Sequence, residues 1–218
     1  MLVALALVLS LVDWTPPTAG ASLRFSFHLT GRLECRGMAP GRSEGQVLLD
    51  CRLPDGTSAL RVAFFGGERQ FNGYIRLREI RPAGMPTPLL LAVAVTTGGS
   101  DSLFETALIG EVEGRVIDLW PRHWQTNILD DLCVGPLGPN KSIGVAAFTF
   151  TWGGDAGESH YAPHHYKMTL YQWQGSRFML DGTQLTSRRV PAWSDAAKEL
   201  GFRCRGELHS FRDLKAFR

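Results

Sequence analysis

Between residues 23 and 35 apolar and polar side chains alternate, with Gly31 the one position of the apolar parity that has no side chain. Leu23, Phe25, Phe27, Leu29, Leu33 and Cys35 take one parity, and Arg24, Ser26, His28, Thr30, Arg32 and Glu34 take the other. A period of two predicts a half-buried β-strand with Cys35 on its apolar face. Val47, Leu49, Cys51 and Leu53 continue in the same sense. An antiparallel register that sets Cys35 against Cys51 also sets Leu33 against Leu53, so strand pairing and a Cys35–Cys51 disulfide require the same alignment.

Further along, Pro54-Asp55-Gly56 reads as a turn, residues 59–65 as a short apolar run, and residues 71–81 as a strand with Ile75 and Leu77 on one side. Residues 81–88, with three prolines and a glycine, predict a loop. The stretch 89–95 is almost continuously apolar, the pattern of a strand covered on both faces. Residues 103–112 and 115–119 predict a hairpin about Glu113-Gly114. Residues 121–140 read as irregular. Residues 143–182 read as a strand, a glycine-rich loop over 153–163 with its ends held by Trp152 and Tyr166, and a hairpin closed at Gln174-Gly175. One helix is predicted at 194–200, with Ser194 as cap and Gly201 as stop.

Three pieces look alike: VAFFGG at 62–67, VAVTTGG at 93–99 and AFTFTWGG at 147–154. The last two are followed by similar hairpins, ALIGEVEGRVIDL and TLYQWQGSRFML. The expected fold is therefore all-β, with antiparallel sheets built from repeated strand, Gly-Gly and hairpin units in a propeller-like or sandwich arrangement, and one short C-terminal helix. A single β-rich domain over 22–211 is expected, with a tail over 212–218 that frays. The hairpin Trp173-Gln174-Gly175-Ser176-Arg177-Phe178 resembles the W-x-G-x-x-F hairpin of blades in FG-GAP or VCBS-like propeller proteins of bacterial envelopes, over roughly residues 89–185. The resemblance implies blade architecture and export. The calcium loop of the D-x-D-x-D-G kind that such blades carry has no counterpart in this sequence.

The chain has 218 residues, 44% of them hydrophobic and 20% charged, enough for one well-buried domain without reliance on cross-links. A formal charge of +2 gives no reason to expect nucleic acid as a partner, although the C-terminal end is locally basic. Residues 2–12 form an apolar run of signal-peptide length, and Ala19 and Ala21 suit the cleavage subsites, which predicts a signal peptide over 1–21 and a mature chain starting at Ser22. The run is too short to span a bilayer, so no stable membrane span is expected. Export makes disulfides possible for the four cysteines, and pairing Cys35 with Cys51 leaves Cys133 for Cys204. The competing reading is four buried thiols.

Candidate chemistry concentrates in the loop before residue 166. His160, His164 and His165, with Asp155 and Glu158, are the densest set of side chains able to hold a divalent metal, through His160, His164, Asp155 and Glu158. Pro163 argues against a helix there, and adjacent His164 and His165 would point to opposite faces of a strand. Tyr161 and Trp173 join Asp155, Glu158, His160 and His164 as candidate binding residues. The aromatic set Trp120, Trp124, Trp152, Tyr161, Tyr166, Tyr171 and Trp173 suits a sugar or peptide surface and equally a core. Residues 135–142 approach a phosphate loop but fail it, because Pro139 removes an N–H and a strand follows where a helix is needed. Asn140-Lys141-Ser142 matches a glycosylation sequon. No G-x-S-x-G elbow is present, and adjacent Asp130 and Asp131 suit a turn better than a shared substrate. The expectation is an exported, non-catalytic binding or structural domain without a cofactor, recognising a protein, peptide or glycan. The alternative is a metal-dependent hydrolase using the His160/His164/His165 loop.

Overall fold

A computed structural model of the protein describes residues 22–210 except 28–29, 39–44, 68, 71–72, 99–100, 121–122, 127–130, 138–141, 154–158 and 160–161. Strands β1 (Ser22–Phe27), β2 (Gly31–Met38), the short β3 (Gly45–Gln46), β4 (Leu48–Arg52) and β5 (Ser58–Ala63) come first. The order β1-β2-β4-β5 makes an antiparallel four-stranded sheet, and β6 (Arg69–Gln70) returns to pair with β3. The second sheet is a meander of β7 (Gly73–Ile80), β8 (Leu89–Gly98), β9 (Asp101–Val112) and β10 (Arg115–Asp118), with β11 (Trp124–Thr126) continuing β10 along the same edge of β9. The third follows β12 (Asp131–Leu137), β13 (Ser142–Thr151), β14 (His165–Trp173) and β15 (Phe178–Leu185). The only α-helix among the described residues, α1 (Trp193–Glu199), precedes β16 (Glu207–Ser210), which pairs with β12.

The three sheets stack in chain order, and the burial pattern explains why. Leu33, Cys35, Leu49 and Cys51 of the first sheet pack against Ile75, Leu77, Leu90, Ala92 and Ile109 of the second. The opposite face of the second sheet, with Leu89, Leu91, Val93 and Leu108, packs against Leu132, Val134, Val145 and Phe178 of the third. On the far side of the third sheet Cys133, Ala146, Phe148 and Met168 meet Ala197, Trp193 and Phe202. The second sheet is thus covered on both faces, and every residue of β8 from 89 to 96 is buried, as its unbroken apolar run predicts.

Local sequence accounts for several elements. Glu113 (φ 50°) and Gly114 (φ 73°) both lie in the left-handed region, as a two-residue turn between strands twisting together requires. Gly56 N–H donates to the Leu53 carbonyl at 2.9 Å, closing the turn at 54–56. Both expected disulfides form, Cys35–Cys51 as the parity argument requires and Cys133–Cys204 as the pair left over. The register Glu34↔Arg52, Cys35↔Cys51 is the one that extends to Leu33 opposite Leu53.

Other expectations need correction. The alternation over 23–35 covers a hairpin, not one strand: β1 and β2 pair with Phe25 opposite Leu33 and Leu23 opposite Cys35. Directly opposed residues share a face, so the turn preserves the alternation and hides itself. Residues 121–140 are not irregular throughout, since β11 and β12 lie there. Gly135 and Pro136 look like breakers, yet Gly135 lies in β12 at φ 141°, where its backbone passes against Gly206 and a Cβ on Gly206 would collide with the Val134 carbonyl. Pro136 sits beyond the β12–β16 pairing, which ends at Val134. Ser194 does not cap α1: Ala192 holds that position, with no side-chain hydrogen bond. The stop is as expected, with Phe202 N–H on the Ala197 carbonyl and Gly201 N–H on that of Lys198. The β14–β15 turn falls one residue later than expected, on Gly175-Ser176, closed by Gln174 N–H donating to the Arg177 carbonyl at 2.9 Å.

Candidate functional site

Thr151 pairs with His165 at the end of the β13–β14 ladder, so the loop between them leaves the top of the third sheet. Asp155, Glu158, His160 and Tyr161 lie outside the described residues. His164 is described and is only 1% exposed. Its ring stacks on Phe150 with centroids 3.9 Å apart and planes 7° apart, and Trp152 meets it edge-on at 5.4 Å. Its Nε2 donates to the Ser159 carbonyl at 2.9 Å, and its backbone exchanges both hydrogen bonds with Val190. His165 faces the other way, half-buried, with Nδ1 donating to the Thr186 carbonyl at 3.0 Å. The two adjacent histidines do part to opposite faces. Trp173 is half-buried, 5.1 Å from Phe178. Of the other aromatic candidates, Trp120, Trp124 and Tyr166 are core residues, Tyr171 is half-buried against Trp120, and Trp152 is exposed. Among the described residues no group of three or more His, Cys, Asp or Glu side chains is arranged to hold a metal ion.

A partly buried cluster of charge stands elsewhere, at a break along one edge of β9. Asp118 ends β10 opposite Ile109 and Trp124 begins β11 opposite Thr106, so five residues, 119–123, span the gap between them. His123 fills that gap. Its Nδ1 lies 2.5 Å from Glu105 Oε1 and its Nε2 lies 2.6 Å from Asp118 Oδ2. Two carboxylates on two ring nitrogens require both to carry protons, which makes His123 an imidazolium. Burial alone would lower its pKa. The hydrogen bonds and charges of Asp118 and Glu105 outweigh burial and raise it to about 9.

The remaining carboxylate oxygens are also engaged. Glu105 Oε2 accepts Gln125 Nε2 at 2.9 Å and the backbone N–H of Phe65 at 2.5 Å, and Asp118 Oδ1 accepts the Trp120 N–H at 2.9 Å. Phe65 has φ 56°, a costly conformation for a side chain of this size, and the Glu105 carboxylate holds it there. Phe64 lies over His123 with centroids 5.3 Å apart. Glu105 therefore ties the turn after β5 to the second sheet. Glu111, on the same face of β9 and roughly 20 Å away by strand rise, does the same for the first hairpin. It accepts the backbone N–H and hydroxyl of Thr30. The chain's own donors occupy this cluster, and its chemistry is that of an ionic fastener between two sheets.

Glu105, Asp118 and His123 were absent from the candidates drawn from the sequence. A signal existed: Leu103, Glu105, Ala107 and Ile109 share one parity of β9, so a carboxylate stands between apolar neighbours on one face. Its partner could not be found by the same means, because His123 lies in a stretch without periodicity. Comparisons with protein-family models, with curated proteins and with solved structures found no match.

Proposed function

We propose that the chain is an exported, non-catalytic β-domain with a binding or structural role in the cell envelope or extracellular space. The observation that carries this reading is the free edge of the third sheet. Strand β15 has no partner on its outer side among the described residues, and Leu180, Leu185 and Met179 on it are 62%, 57% and 45% exposed. Edge strands of isolated soluble domains are kept short, charged or covered. An eight-residue edge with three large apolar side chains is the kind of surface that partners use. Beside it, Met168, Leu170, Leu200 and Phe202 line a groove of about 360 Å³ between the sheet and the end of α1.

Two disulfides support an oxidising compartment, and no helix among the described residues is long and apolar enough to cross a membrane. The kinship to FG-GAP or VCBS-like blades and the idea of an internal repeat belong to the same proposal. Their support is that β8-β9-β10 and β13-β14-β15, which hold the two similar hairpins, are each the second, third and fourth strands of a meander. The third Gly-Gly piece, at 62–67, closes β5, the last strand of its sheet.

The test sets this reading against a metal-dependent hydrolase. The mature protein is incubated with chromogenic ester, phosphate, glycoside and peptide substrates, with zinc, calcium or manganese or with chelator. No turnover above blank and no shift in melting temperature between metal and chelator are expected. Turnover that chelator abolishes and His165→Ala removes overturns the reading. Intact-mass analysis from the native compartment should give a chain beginning at Ser22.

A further inference from the structure

The outward face of the first sheet, opposite the one carrying Leu33, Cys35, Leu49 and Cys51, is unpartnered among the described residues and rich in arginine. Register places Glu34 beside Arg52, and Arg36 beside Asp50 and then Arg61, while Arg32 stands two residues before Glu34 on β2. Four guanidiniums thus meet two carboxylates on one face, and Arg24 stands opposite Glu34 in the β1–β2 register. Arg32, Glu34, Arg36, Asp50, Arg52 and Met38 line a cleft of about 590 Å³ there.

The ion pairs within the face orient it without consuming it. Arg36 spends Nε and Nη2 on Glu34 Oε1, at 3.1 and 2.9 Å, and Arg52 spends Nε on Asp50 Oδ2 at 2.7 Å. Both side chains are more than half exposed, at 65% and 57%, with guanidinium donors left over. Neither Arg32 nor Arg61 has a carboxylate partner among the described residues. Among the described residues no lysine lines the cleft; its cations are planar forks, which match carboxylates in pairs of hydrogen bonds.

We propose that this face binds an acidic segment of a partner protein in extended conformation. The inference rests on the binding reading above and adds the ligand class and the surface. Three features of the cleft select that occupant. Among the described residues no aromatic side chain lines it, so these residues offer neither bases nor sugar rings a stacking platform. Sign alternates along β2, from Arg32 through Glu34 to Arg36, so a continuously charged polyanion would be repelled at Glu34 and again at Asp50. An extended peptide repeats its side chains every two residues, at roughly 7 Å, and can set acidic groups opposite Arg32 and Arg36, with an uncharged one between them at Glu34. The partner is then an acidic segment with carboxylates four residues apart.

The experiment uses the mature chain and a fluorescein-labelled peptide with glutamate at every fourth position in a threonine and glycine background. A glutamine analogue, a sulfated polysaccharide and a single-stranded oligonucleotide serve as comparators. Saturable anisotropy is expected for the glutamate peptide, weakened about tenfold by raising salt and by about tenfold or more in Arg32→Glu/Arg52→Glu. If loss of the Asp50 pair prevents that variant from folding, judged by far-UV circular dichroism, Arg32→Glu/Arg61→Glu carries the test. Equal binding by variant and parent, equal binding of the glutamine analogue, no binding of the glutamate peptide, or tighter binding of the polysaccharide or oligonucleotide each overturns the proposal. Failure of the parent chain to bind the glutamate peptide, with all substrate assays still at blank, sinks this surface alone. Substrate turnover sinks the binding reading itself.

Discussion

His123 and His164 mark two regions assembled on different principles. At the junction of the first and second sheets, His123 is a cation held between Glu105 and Asp118, and Glu105 and Glu111 reach across to backbone N–H groups of turns in the first sheet. At the end of the third sheet, His164 lies flat on Phe150, bonded to a neighbouring carbonyl, in a setting of rings and apolar contacts. The helix beside it is tied on by Cys133–Cys204 and by Phe148 packing with Trp193 and Phe202. The same imidazole is thus a buried charge in one place and a flat polar-edged ring in the other. The difference lies in what faces it: two carboxylates stabilise the proton at His123, whereas at His164 the surface offered is another ring.

The largest expected effect lies on the covalent side. Cys133–Cys204 spans 71 residues, for which the chain-entropy relation gives about 4.5 kcal/mol, against about 3 kcal/mol for the 16 residues spanned by Cys35–Cys51. Cys204→Ser should therefore lower the urea midpoint more than Cys51→Ser. Equal losses would show that the helix side owes little to its cross-link.

Next comes the ionic fastener. Glu105→Ala strips His123 of a counter-charge and leaves the Phe65 N–H and Gln125 amide without an acceptor, and should cost about 4 kcal/mol in chemical denaturation. A loss under about 1 kcal/mol would mean that water replaces the carboxylate and that the sheets are held by apolar packing alone.

The ionic junction should respond to pH. A His123 pKa raised from 6.5 to about 9 means that the folded state binds the proton more tightly than the unfolded chain. Its contribution is complete below pH 6.5 and is lost as pH rises through about 9. Discounted for partial solvent access, the loss is on the order of 2 kcal/mol between neutral and alkaline pH. His123→Gln should start less stable and flatten the profile over that window. A parent profile already flat from pH 6.5 to 10 would remove the imidazolium.

The smallest effect is expected at His164. Phenylalanine keeps the stack on Phe150 and loses the bond to Ser159, so His164→Phe should cost about 1 kcal/mol. A loss several times larger, or one that depends on divalent ions, would return His164 to the functional candidates.

What the sequence determined by itself is whatever depends on parity or on neighbours in the chain. Alternation placed Cys35 and Cys51 on facing apolar sides, and the register that pairs them followed without knowledge of any sheet. The unbroken run at 89–95 announced a strand covered twice, and Glu113-Gly114 announced its hairpin, because turn geometry is a property of two residues. Tertiary structure decided the rest. The β1–β2 hairpin was invisible because a turn between opposed residues keeps the parity intact, and β12 was obscured because Gly135 serves a close backbone passage to Gly206, some seventy residues away in the chain. His123 and His164 were indistinguishable as letters. A carboxylate on β9 and another at the end of β10 made one a cation, and Phe150 on β13 made the other a core ring. Electrostatic environment is set by groups brought together across sheets, and no local pattern encodes which of them will meet.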